Sequence, residues 1–225
     1  DDVNWGVLSR RHLDAIRYVG ALSVLPAALN SRIIYDLYTG DLTEGEALVA
    51  ETKWVVDIAD GQNPMIPYGE VCLHAIRGDA STAEPQFDKL LDGITARGEG
   101  VGLNLIGSFR AMLFNGLGRY HEAMEAAQLG SASSLELGPA KWALAELVEA
   151  GIRSGKAAEA RCALEQLSSF AQASGTEAAL AVLAGRNALL RTVNAAEDCD
   201  REEIGRLGHT TLRVEHARAR LRYGE

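Results

Sequence analysis

The 225-residue sequence predicts an all-α fold: one domain of antiparallel helix hairpins stacked side by side. Three observations predict it. First, "NGLGRYHEAMEAA" (115–127) places two glycines at a chain turn. A helical pattern follows, with Tyr120, Ala123, Met124 and Ala127 on one face and His121, Glu122, Glu125 and Gln128 on the other. Second, the turn recurs around Gly40, Gly78, Gly118 and Gly155, at steps of 38, 40 and 37 residues. Third, no segment alternates apolar and polar residues as a strand over a core does.

Side-chain character at fixed offsets supports the repeat. Seven residues before each glycine stand Ile33, Val71, Ala111 and Val148, all apolar. Five after stand the small residues Gly45, Ala83, Ala123 and Ala160, and nine after stand Val49, Phe87, Ala127 and Leu164. A small residue opposite an apolar one lets two helices approach closely, and the glycine turns the chain between them without a Cβ clash. The repeats are expected at about 22–60, 66–97, 99–130 and 139–174, with a degenerate unit at 175–207 and a last helix over 208–223.

Each element has its own signal. Residues 9–20 read as the second helix of a unit whose start is missing. The second helix at 81–97 carries Phe87, Leu90, Leu91 and Ile94 on one face, and 156–174 carries Ala160, Leu164, Leu167 and Ala171. Pro67, Pro85 and Pro139 each precede a periodic run, as helix-starting prolines do. The loops at 60–67 and 130–139 separate hairpins. The fifth unit lacks a turn glycine, and aligning Val193 with the glycines puts Asp198 at the small position. The last helix shows Leu207, Thr211, Val214, Ala217 and Leu221 along one face, and its arginines are read as covering the edges of that stripe.

Composition bounds the function. The net charge of −9 disfavours nonspecific nucleic-acid binding, which needs clustered Lys and Arg. Cys72, Cys162 and Cys199 lie far apart without CxxC spacing and read as buried or half-buried thiols of a reducing, cytoplasmic compartment. The apolar stretch at 18–29 is too short to span a membrane. "GIRSGKAA" (151–158) lacks the spacing and the hydroxyl residue of a phosphate-binding loop, and "RGEGVGLN" (97–104) follows a helix rather than a strand. The five histidines are scattered, without a second ligand at metal spacing. Glu146 and Glu149 on one helix, with Arg153 four residues after Glu149, read as an i,i+4 charge pair rather than an acid–base dyad. No catalytic, cofactor or metal residues are expected.

Laid out in order, "GALSVLPAAL" (20–29), "NGLGRYHEAMEAA" (115–127), "WALAELVEAGIRSG" (142–155), "SGTEAAL" (174–180) and "RLGHTTLRVEHARARLRYGE" (206–225) resemble the helical-repeat region of large ATP-binding LuxR-type transcriptional regulators. The resemblance runs over nearly the whole chain and implies a tetratricopeptide-like, right-handed α-α superhelix. It also implies a non-catalytic sensor segment that relays a protein or small-molecule effector to NTPase and helix-turn-helix domains outside these residues. A free-standing tetratricopeptide-like scaffold is the alternative. Neither reading implies a cofactor, direct DNA binding by this segment or a membrane. The register of such repeats points Asn30, Ile34, Tyr38, Tyr68, Cys72, Ser108, Met112, Asn115, Trp142, Glu149 and Arg153 into the groove as candidate effector contacts.

Overall fold

The computed structural model describes residues 2–58, 67–132, 138–191 and 193–224. Among them the fold is all-helical, with twelve helices and no strand. The helices are α1 (Asp2–Val19), α2 (Leu25–Tyr38), α3 (Leu42–Ile58), α4 (Tyr68–Ile76), α5 (Ala80–Arg97) and α6 (Gly100–Gly116). They continue as α7 (Tyr120–Ser131), α8 (Pro139–Arg153), α9 (Ala157–Ser174), α10 (Glu177–Ala188), α11 (Val193–Leu207) and α12 (Arg213–Tyr223). Helices α2 to α11 pair in sequence as five hairpins, and the first helix of each packs against the first helix of the next. The even-numbered helices α2 to α10 thus form a continuous row.

The four turns share one construction. Gly40, Gly78, Gly118 and Gly155 all have positive φ, between 71° and 82°, where a Cβ would be strained. The residue after each glycine donates its amide to the carbonyl five positions back: Asp41 to Asp36, Asp79 to His74, Arg119 to Phe114 and Lys156 to Gly151, at 2.7–3.0 Å. This closure satisfies carbonyls that the helix end leaves open. Ala83, Ala123 and Ala160 are fully buried, as are Val71, Ala111 and Val148 before the turns. A Cβ at Gly151 would lie 3.0 Å from the Ala160 Cβ, so the small residues sit where two helices nearly touch.

A larger residue there forces the helices apart. Ala123→Leu or Ala160→Leu is expected to cost about 1–3 kcal/mol from overpacking, whereas Glu125→Leu, on the exposed face, costs little. Thermal unfolding of the three variants checks the register; equal midpoints would refute it.

Several elements differ from the sequence expectation. Helix α1 begins well before residue 9, because Trp5 and Gly6 pack on α2: Gly6 lies directly against the Tyr35 ring, where no Cβ would fit. Pro85 lies inside α5 rather than at its start, which Asp79 sets by accepting a hydrogen bond from the Thr82 amide at 3.2 Å. Pro67 and Pro139 do stand at the starts of α4 and α8. The loop at 60–67 lies outside the described residues except for Pro67, as do residues 133–137 of the loop at 130–139.

In the fifth hairpin Asp198 is exposed. Shifting the alignment by one residue puts half-buried Cys199 at the small position and fully buried Glu203 at the apolar one. The small partner is supplied from the other helix by Gly185, directly beneath the Glu203 carboxylate. The last helix starts at Arg213, and Leu207 ends α11 instead. Its buried face is not the predicted stripe: Ala217 and Leu221 are exposed, while Glu215 and Ala219 are buried. Arg218 and Arg222 on that face turn inward to buried carboxylates rather than covering an apolar edge. Cys162 is exposed, contrary to the expectation for the thiols, whereas Cys72 is fully buried. No helix among the described residues is long and apolar enough to cross a membrane.

Candidate effector cavity

The row of first helices, with α9 adding Leu167 and Phe170, lines a partly open cavity of about 650 Å³. Each contributes a wall: Ile34 and Tyr38 from α2, Tyr68 from α4, Leu105 and Ser108 from α6, Trp142 and Ala145 from α8, and Val182 and Arg186 from α10. Helix α1 closes one side through Trp5. Its ring lies 5.6 Å from Trp142 and 6.3 Å from Tyr38, and Tyr38 and Trp142 are 5.0 Å apart. Helix α12 adds Leu212 and Glu215 to the lining. The size and the mostly apolar wall fit a small-molecule site, for which volumes of about 300–1,000 Å³ are usual.

Three polar residues in the wall, Asn30, Ser108 and Tyr68, have structural partners. Asn30 accepts the Gly69 amide at 2.7 Å and donates to Pro26 O at 3.0 Å, tying the start of α4 to α2. Ser108 Oγ lies 2.7 Å from Asn104 O and 2.9 Å from Pro139 O, joining α6 to the start of α8. Tyr68 donates to Glu99 Oε1 at 2.5 Å; burial first, and then this carboxylate, raises its pKa and keeps it a neutral donor. Burial likewise raises the Tyr38 pKa well above the ordinary range.

A buried ionic knot backs the cavity. Arg218 donates to both Glu146 oxygens at 2.7 and 2.9 Å and to Glu215 at 3.1 Å. Arg186, fully buried, donates Nε–H to Ala145 O at 2.9 Å, and its terminal nitrogens lie 3.8 Å from Glu149 and 3.8 Å from Glu203. Arg222 reaches Glu203 at 2.6 Å. Burial is the largest influence on Glu146 and opposes its charge, but Arg218, Arg186 and the Asn115 amide together outweigh it and hold the carboxyl down at about 2. Glu203 moves the other way, raised because its burial outweighs its arginines.

A carboxyl held below its ordinary value of 4.5 contributes stability at neutral pH and loses it as pH falls from 4.5 toward 2. Glu146→Gln should therefore lower the unfolding midpoint at pH 7 and reduce the further drop between pH 7 and pH 3. An unchanged acid drop would remove Glu146 from the acid sensitivity.

The structure brings Asn30, Ile34, Tyr38, Tyr68, Ser108 and Trp142 to the cavity and keeps the other candidates out of it. Cys72 and Met112 are in the core. Asn115 lies behind Glu146, donating to its Oε2 at 2.8 Å and its carbonyl at 3.0 Å. Glu149 belongs to the knot, and Arg153 sits beyond it, 4.0 Å from Glu149 and 5.7 Å from the Tyr120 ring. The expected i,i+4 pair of Glu149 and Arg153 is thus present, and Glu146 and Glu149 are in addition buried and paired with Arg218 and Arg186. Sequence reasoning missed Arg186 and Glu215, and a signal existed for both. Arg186 interrupts the small apolar run "AALAVLAGRNALL" (178–190), and Glu215, Arg218 and Arg222 fall on one helical face. Compared with known proteins, the chain matches no family model and no curated sequence.

Proposed function

We propose that this chain is the effector-receiving segment of an ATP-dependent, LuxR-type transcriptional regulator. In this reading it is a tetratricopeptide-like, right-handed superhelix without catalytic residues, acting in the cytoplasm. The observation that carries the reading is the cavity, because all five first helices contribute to it. A ligand filling the cavity would bear on residues from every repeat, so its differential affinity for two arrangements of the stack could shift their balance. That shift would be relayed to NTPase and helix-turn-helix domains elsewhere in the regulator. The alternative, a scaffold for a protein segment, is less well supported: α12 lies over the inner side of the row, where an extended peptide would have to bind.

The encoded sequence on either side of these residues tests the regulator reading. A phosphate-binding loop upstream and a helix-turn-helix downstream support it; flanks with neither contradict it. The isolated chain should bind neither ATP nor duplex DNA, given its net charge of −9 and the failed phosphate-loop match. Saturable micromolar ATP binding, or sequence-selective DNA retardation at physiological salt, would overturn that assignment of roles.

A further inference from the structure

Resting on the cavity as the receiving site, we propose that its ligand is an amphiphilic carboxylate, an acid head on an apolar body, with the head held at Lys141. Lys141 lines the cavity from the first turn of α8, a turn that contains no acidic residue. A cation there works against the helix dipole, whose positive end it adds to. Local rules are broken in this way where function requires it. Among the described residues the Lys141 ammonium has no carboxylate partner; its one contact of note is the Phe170 ring, with Nζ 5.3 Å from the centroid.

A second helix start converges on the same cavity. Thr176, the cap of α10, and Ala179 in its first turn both line it. The acid of that turn, Glu177, is drawn away by Arg206 at 2.9 Å. Two positive helix ends and one unneutralised ammonium together favour an anion. The carboxylates in the wall do not cancel this: Glu146 lies about 7.5 Å further along α8, and Arg218 engages both it and Glu215. Leu167, Phe170 and Val182 supply apolar surface for the body of the ligand.

The test titrates the chain by calorimetry with sodium decanoate, decan-1-ol and decyltrimethylammonium bromide, each below its micelle concentration. Decanoate should bind one to one, at least tenfold more tightly than either of the others. Lys141→Gln should abolish that preference and leave the affinity for decan-1-ol unchanged. Equal binding of the three probes, or a decanoate preference that survives Lys141→Gln, would overturn the acid head and leave the cavity as the receiving site. No saturable binding by any of the three would overturn the cavity reading along with it.

Discussion

Arg186→Ala should destabilise the chain by about 3–5 kcal/mol, the range for breaking a buried ion pair by removing one partner. Arg186 is fully buried, and so is Glu203, whose carboxylate lies 3.8 Å away; Glu149 is 3.8 Å from the other terminal nitrogen. Removing the guanidinium leaves Arg222 as the counter-charge of Glu203 and only Arg218 and Arg222 within 4 Å of Glu149 from the neighbouring helix, and it also orphans the Ala145 carbonyl, which accepts the Arg186 Nε–H. The knot joins α8, α10, α11 and α12, so its loss loosens the last three helices together. The double variant Arg186→Met with Glu203→Leu should recover a large part of the loss, because a buried pair can be replaced by apolar residues of similar volume. Urea unfolding measures both. A loss below about 1 kcal/mol for Arg186→Ala would mean that the knot is open to water.

Gly107→Ala should destabilise, against the helix propensity that favours alanine over glycine by about 1 kcal/mol. A Cβ at Gly107 would lie 2.5 Å from the Gly130 Cα and 2.8 Å from the Ala126 carbonyl oxygen, both backbone atoms that no rotamer change can clear. Gly130 in turn leaves no room for a Cβ, which would meet the Ala143 Cβ at 2.9 Å. The pair lets α6, α7 and α8 pack at backbone distance in the centre of the stack. Overpacking of this kind costs about 1–3 kcal/mol. Gly205 in α11 is the control: a Cβ there meets nothing within 4 Å, so Gly205→Ala should stabilise by about 0.5–1 kcal/mol. If both substitutions stabilise, the helices are not in close contact at Gly107.

The hairpins were legible because each carries its signal locally. A glycine that must take positive φ and a small residue five positions later are read without knowing the rest of the fold, and Gly118 and Ala123 show both. The half of the candidate groove that lines the cavity follows from the same period: Tyr38, Tyr68, Ser108 and Trp142 fall on the inner faces of their helices. What failed depended on distant partners. Trp5 is explained only by rings on other helices, Tyr35 and Tyr38 of α2 and Trp142 of α8. The inward turn of Arg218 depends chiefly on Glu146, 72 residues away, whose two oxygens it engages. The apolar stripe read for α12 failed for a related reason. Its helix is too polar for burial to be decided by hydropathy, so ion pairs decide it. In the fifth hairpin a glutamate replaces the apolar residue at the packing position, and no pattern of apolar side chains reveals that register.

The most direct test of the cavity as the receiving surface is inducible transcription by the full-length encoded protein carrying Ala179→Trp. Ala179 is half-buried and faces the cavity, so the indole would occupy the space proposed for the effector. Arg153→Ala, outside the cavity, serves as the matched change, and immunoblots together with unfolding midpoints control for protein level and stability. With the cavity as the receiving surface, Ala179→Trp abolishes the response to inducer at a normal protein level and near-normal stability, while Arg153→Ala leaves it intact. Full induction with the cavity filled would contradict that role.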